Sequence, residues 1–371
     1  MDNHFGGMGM GVLSAIAVLV GLIVAHEAGH FIAARWQGIR VSGFSVGFGP
    51  ALLQLRYQGV LFALRVIPLG GFVSFPDDDE NSGVASDDPD LLRNRPLFQR
   101  ALVCAAGVIA NLLLAYTVLV LQGAMVGIPD GVTPTPGVLV SGVQAGLPAN
   151  EAGLRAGDRI IGLEGRSLEG GNQAVSQLVE QIKASAGQTL QLQAERRGAS
   201  LVLSLTPADL GGVGRIGAQL QPMGSEAFRA PRGPLEPIRQ ANHDFFLLTG
   251  RTIGGFGTLI THFNETASQV AGPVKIVEMG ASLATQSNSG LYLFTALISI
   301  NLAVLNALPL PLLDGGQFVL LLLEGLRGRP VPERFQLAFI QSGFVFLVGL
   351  TVVLAVKETS QLPAIQQLLN H

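Results

Sequence analysis

The sequence predicts a polytopic α-helical membrane protein of about four spans, with a small mixed α/β module inserted between the second and third. Three observations predict it. Of 371 residues, 48% are hydrophobic and 13% charged, roughly half the charged share of a soluble domain. Residues 9–34, 101–127, 291–313 and 335–356 each supply the ~20 apolar residues that cross a hydrocarbon core of ~30 Å. Residues 137–222 are polar and carry strand-like and helix-like periodicities instead.

The first stretch is uncharged from residue 9 to His26 and Glu27. No Lys or Arg precedes it, and no small-residue cleavage site follows it. It reads as a retained transmembrane helix rather than a secretory signal. Between the first two spans lie seven arginines, from Arg35 to Arg100. The positive-inside rule puts this segment in the cytoplasm, and the acidic run 77–80 does not change that. Parity then places 128–290 outside the cytoplasm. The loop with Arg327, Arg329 and Arg334 falls inside, and both termini outside.

Within the inserted module, 137–143 alternates like a strand and 178–184 reads as helix. Residues 190–195 and 201–205 read as a hairpin around Arg197-Gly198. The flanks 129–136 and 222–237 are rich in Gly and Pro, as linkers are. Residues 223–290 are harder to place. The part at 238–265 is apolar but carries Arg239, His243, Asp244, Arg251 and His262. A fifth span there would break parity, so an amphipathic helix on the membrane surface or against the bundle is expected.

The net charge of −3 offers nucleic acid no electrostatic footing. The single cysteine, Cys104, sits in an apolar run and reads as a small buried hydrophobe.

His26-Glu27-Ala28-Gly29-His30 fits H-E-x-x-H. On a helix, positions i and i+4 share a face. Both imidazoles can then reach one Zn²⁺, with Glu27 beside the open position as general base. The pattern alone is short. Its position in an apolar span adds weight, because an ionisable group there costs ~2.5–3.5 kcal/mol or more unless paired or metal-bound. The best third ligand is Asp314, at the end of the third span after Asn306, Pro309 and Pro311. The prolines cannot continue a regular helix, so the chain must unwind there. Irregular backbone at membrane depth is tolerated where it is buried or lines a wet cavity.

Together these motifs resemble the site-2 protease family of intramembrane metalloproteases, of the regulator-of-sigma-E type. The likeness rests on HEAGH, Phe44-Ser-Val-Gly-Phe-Gly-Pro50, Ile67-Pro-Leu-Gly-Gly-Phe72, Gly107-Val-Ile-Ala-Asn111 and residues 306–316. It implies His26, His30 and Asp314 as zinc ligands and Glu27 as the base. It implies a membrane-associated β-hairpin over 41–75, with Gly47, Phe48 and Gly49 near the substrate, followed by a cytoplasmic loop over 76–100. Substrate contacts are also implied for Asn306, Pro309 and Pro311, and for Asn111. The stretch from Leu147 to Ile161 resembles a circularly permuted bacterial PDZ domain, which would bind or exclude substrate ends. Residues 214–220 would be its peptide-receiving edge.

The substrates implied are single-span membrane proteins, anti-sigma-factor-like ones among them, cut second in regulated intramembrane proteolysis. The membrane implied is that of a bacterial cell or a plastid. Two departures stand out. The nearest members of this type carry two PDZ modules and this chain has room for one. Val108 also stands where the family usually has Pro. Rival readings are an intramembrane metal or ion transporter, and a membrane-anchored PDZ scaffold without catalysis.

Overall fold

The structure is a computed structural model that describes residues 2–79, 83–144, 146–196, 198–209, 211–262, 272–286 and 289–360. Glu80 of the acidic run and Arg197 of the expected turn lie outside the described residues. The chain divides into two compact units: Met1–Val126 with Pro231–His371, and Gly127–Ala230.

The first unit is a helical bundle. Its helices are α1 (Asp2–Trp36), α2 (Leu97–Met125), α5 (Glu236–Thr261), α6 (Pro273–Gln286), α7 (Gly290–Ala307), α8 (Asp314–Arg327) and α9 (Glu333–Ser360). Among the described residues, Gly9–Trp36, Leu97–Met125 and Gly290–Ala307 are long and apolar enough to cross a membrane. The expected fourth span falls in α9. Leu13, Ile32, Leu113 and Leu121 stand exposed on α1 and α2, a pattern suited to lipid rather than water. α2 runs unbroken through Val108.

Small residues let the helices close up. A Cβ on Gly29 would lie 2.7 Å from Ala110 Cβ, so α1 and α2 approach along a Gly-Ala seam. Ala15, Leu22, Phe294 and Ile298 form one buried cluster, with Ile276, Val277 and Leu283 of α6 packed on it. Ala115, Leu119, Ala241, Ala296 and Ile300 form another. That cluster sets α5 against α2 and α7. Polar pairs flank it: Tyr116 donates to Asn242 at 2.9 Å, and Thr252 donates to Asn301 at 3.0 Å. Within the 238–265 stretch, residues up to 261 form α5, which packs on α2 and α7, and residues 263–265 lie outside the described residues.

The third span ends earlier than expected. α7 stops at Ala307, residues 308–313 are irregular, and Asp314 opens α8 rather than closing the span. Pro309 and Pro311 remove the donors a helix would need. Gly315 and Gly316 then let the irregular segment fold back across the start of α8. A Cβ on either would run into the carbonyls of Leu308 and Leu310 respectively.

Strands β1 (Gly43–Tyr57) and β2 (Val60–Ser74) are more than the expected hairpin. Ala51–Tyr57 pairs antiparallel with 60–65. Residues 43–46 pair in parallel with 61–64 (Gly43 opposite Leu61, Val46 opposite Leu64) and antiparallel with 71–74 (Gly43 opposite Ser74, Val46 opposite Gly71). The result is a four-segment sheet with 71–74 at one edge. Gly47 and Gly49, at φ +89° and +84°, make the bend that returns β1 on itself. Leu52, the extra residue of a bulge between Ala51 and Leu53, is exposed, as are Leu53 and Leu55.

The second unit is built on an antiparallel sheet in the order β10-β3-β4-β6-β7, with β5 paired on β4. Its strands are β3 (Ile128–Val143), β4 (Arg159–Leu163), β5 (Arg166–Ser167), β6 (Leu190–Arg196), β7 (Ala199–Leu205) and β10 (Ala218–Arg229); β8 (Ala208–Asp209) and β9 (Gly214–Arg215) pair separately. Helices α3 (Pro148–Glu151) and α4 (Gly171–Ala184) complete it. Val138, Leu154, Ile160, Leu178, Leu192 and Leu205 are among its fully buried core. Most of the flanks expected as linkers pair with each other instead: Ser225 opposes Thr133 and Phe228 opposes Pro129, and 230–235 lie outside the ladder. Proline is tolerated at such positions where its missing donor faces outward from the ladder.

Candidate metal centre

Helical spacing puts His26 and His30 one above the other on α1. Their Nε2 atoms lie 3.3 Å apart. Asp314 Oδ2 comes to 3.3 Å from His26 Nε2 and 3.4 Å from His30 Nε2. The three donors therefore form a nearly equilateral triangle, with side chains 12%, 13% and 17% exposed. Donors ~2.0–2.1 Å from one tetrahedral ion stand about 3.3–3.4 Å apart. The triangle thus has the size and the N, N, O chemistry of three faces-inward zinc ligands, leaving a fourth position open. Asp314 Oδ2 is buried and has no hydrogen-bond partner. A cation would satisfy it.

The surroundings prepare each ligand. His30 Nδ1 lies 2.8 Å from the Val103 carbonyl; donating there leaves the Nε2 lone pair free for a metal. Cys104 is buried and its thiol donates to the Asp314 carbonyl at 3.1 Å. Arg100 on α2 pairs with Glu324 on α8 at 2.6 Å, which ties the helix that Asp314 opens to α2. A Cβ on Gly107 would lie 2.6 Å from His26 Cε1 and closer still to His30 Nε2. Val103, Gly107 and Asn111 recur every four residues, so one face of α2 backs the whole centre.

Glu27 is 9% exposed. The edge segment 71–74 lies over it: a Cβ on Gly71 would sit 2.8 Å from Glu27 Cγ and 3.1 Å from Ile23 Cγ2. Phe48 stacks on Phe72 with ring centroids 6.3 Å apart, and Arg65 lies over the same Phe72 ring. Arg65 also donates to the Gly49 carbonyl at 2.8 Å. The structure therefore sets Gly47, Phe48 and Gly49 beside the strand that covers Glu27.

Asn306, near the end of α7, reaches within 3.3 Å of His26 Nε2 and is partly exposed. Pro309 and Pro311 lie in the irregular segment between Asn306 and Asp314, Pro309 exposed and Pro311 half-buried. Asn111 differs. It is fully buried, and its amide faces His26 Nδ1 at 3.3 Å. Sequence reasoning missed Gly71, Gly107 as a close contact, and the Val103 carbonyl. The four-residue spacing from 103 to 111 was a usable signal; a backbone carbonyl carries none.

The model of peptidase family M50 matches residues 14–350. A Nostoc sp. protein is 47% identical over 353 residues, covering 95% of this chain and 97% of its own length. A Synechocystis sp. protein is 45% identical over 361 residues, covering 97% of each. Both are named as zinc metalloproteases. The Arabidopsis thaliana chloroplastic membrane metalloprotease ARASP is 42% identical over 361 residues, covering 96% of this chain and 80% of its own. Among solved structures, a PDZ domain of an SdrC-like protein from Listeria monocytogenes matches 24% of this chain at 23% identity and a TM-score of 0.21. With a match this long and relatives this similar, the chain belongs to peptidase family M50, the site-2 protease family.

Proposed function

We propose that this chain is a zinc endopeptidase that cuts membrane-protein substrates in or near their transmembrane segments. One observation carries the reading: the triangle of His26 Nε2, His30 Nε2 and Asp314 Oδ2, with edges of 3.3 to 3.4 Å, built on helices apolar enough to cross a membrane. A zinc ion held there supplies a Lewis acid that polarises the scissile carbonyl and makes water acidic near neutral pH.

Glu27 takes the proton of the attacking water and passes it to the leaving amine. Its burial beside the triad favours catalysis over a scaffold without chemistry. A helical substrate hides its carbonyls in hydrogen bonds, so it must unwind before attack. The edge segment 71–74 over Glu27 supports strand pairing as the device that holds it extended. Asn306, partly exposed beside His26, is suited to bind substrate backbone. Exposed Leu52, Leu53, Leu55 and Tyr57 support a membrane-associated sheet tip.

The positive-inside reading puts the metal centre near the cytoplasmic face, the 127–230 unit outside and both termini outside. Residues 137–222 of that unit are read as the single PDZ domain, binding or excluding substrate ends. Residues 218–220 of β10, at the edge of the sheet order, support a peptide-binding edge. The setting is regulated intramembrane proteolysis in the membrane of a bacterial cell, or of a plastid; of the relatives, two are bacterial and the Arabidopsis one is chloroplastic by name.

The test is direct. The full chain is purified in detergent, its zinc measured, and a single-span substrate added. Glu27→Gln should keep one zinc and lose cleavage by ~10²–10⁴-fold. Equal cleavage by both proteins, or no zinc in the wild type, rejects the reading.

A further inference from the structure

Each ligand imidazole has a second nitrogen, and its partner decides which nitrogen faces the metal. For His30 the partner is the Val103 carbonyl. For His26 the group at Nδ1 is the side-chain amide of Asn111, 3.3 Å away. Asn111 is fully buried, and its backbone carbonyl is fixed by the Ser299 hydroxyl at 2.7 Å. Ser299 belongs to α7, the helix that also carries Asn306.

As it stands, the nitrogen end of the amide faces Nδ1 while Oδ1 is buried with no partner. The two ends of a carboxamide have the same shape, so its orientation follows from the hydrogen bonds it must make. A metal on Nε2 leaves the ring proton on Nδ1. That proton needs an acceptor, and only the oxygen end of Asn111 can be one.

We infer that Asn111 is a positioning residue: its amide oxygen accepts the Nδ1–H of His26 and so directs the Nε2 lone pair at the metal. The inference rests on the zinc reading above. It replaces a substrate contact at Asn111 by a role behind the ligand. A neutral amide suits this depth, since a carboxylate would add a further buried charge within an apolar span.

The experiment measures zinc affinity of the full chain in detergent by competition with a chromogenic chelator, with no substrate present. Asn111→Leu keeps the bulk and removes the acceptor, and should weaken zinc by ~10–100-fold. Asn111→Asp accepts but cannot donate, and should bind zinc as tightly as wild type or more tightly. Thermal melts establish that each variant is folded. Leu binding like wild type overturns the inference. Asp binding as weakly as Leu also overturns it, because the working end would then be the donor. If the Leu variant does not fold, the Asp variant decides alone against wild type: zinc weakened ~10–100-fold overturns the inference. A wild type that binds no zinc rejects the metal reading itself, a different result from unequal variants of a zinc-loaded protein.

Discussion

Gly107 of α2 lies directly against the imidazole of His30. The space between them is too small for one methyl group, since an added Cβ would also come to 2.6 Å from His26 Cε1. Gly→Ala in a helix ordinarily stabilises by about 1 kcal/mol. Here the sign should reverse, because overpacking costs ~1–3 kcal/mol and displaces two ligands at once. Gly107→Ala should therefore lower both the melting temperature in detergent and the zinc content. A variant with full zinc and a raised melting temperature would contradict this packing.

Asp314 contributes the only carboxylate of the triangle, and its Oδ2 has no other partner. Asp314→Asn keeps the shape but removes the charge and half of the acceptor capacity. Zinc should then bind at least ~10–100-fold more weakly, no less than for loss of an outer partner. Stripping the wild type with a chelator should abolish cleavage, and stoichiometric zinc should restore it. Full cleavage by a protein shown to be zinc-free would remove the centre from the mechanism.

Gly71 is the point where the small sheet meets the general base. An added Cβ would lie 2.8 Å from Glu27 Cγ and 3.0 Å from the Ser45 carbonyl. Gly71→Ala should push the edge strand away from α1 while leaving the triangle intact. Cleavage is expected to fall by roughly tenfold or more, as it does when reacting groups are misplaced by a fraction of an ångström, with zinc content unchanged. Loss of zinc in this variant would mean that the sheet supports the ligands rather than the substrate.

These contacts mark where sequence is informative and where it stops. The shared face of His26 and His30 follows from helical spacing, and the break before Asp314 follows from two prolines that lack donors. That Asp314 opens a new helix was not legible, because it depends on Gly315 and Gly316 admitting a backward fold against carbonyls far closer than sequence can reveal. The parallel pairing of 43–46 with 61–64 was equally hidden, since alternation gives a strand its faces but not its neighbours. Residues 129–136 read as linker on composition, yet they pair as strand, because prolines are compatible with the outward side of a ribbon. The Val103 carbonyl, which fixes His30, belongs to the backbone and leaves no trace in residue type.

In the second unit, Asp158 is 1% exposed and accepts from Arg196 through both oxygens, at 2.6 and 2.7 Å, and from the Arg155 amide at 2.8 Å. Arg196 also donates to the Gly153 carbonyl at 2.7 Å, so the pair clamps the turn 153–158 onto β6. The hydrogen bonds from Arg196 hold the Asp158 carboxyl below the usual carboxylate range. A carboxyl depressed in the folded state stabilises it fully above the unfolded value of about 3.9. That contribution is lost as pH falls through the lower folded value. Asp158→Asn should cost ~1–3 kcal/mol at neutral pH and should flatten the acid limb of stability. Hydrogen exchange of the full chain, corrected for intrinsic rates, reads both effects in peptides covering 153–163 and 190–196. Faster exchange in the variant at pH 7, with the gap to wild type narrowing as pH falls below the ordinary carboxylate range, is the expected outcome. Equal protection at pH 7 would mean that the clamp does not hold the turn.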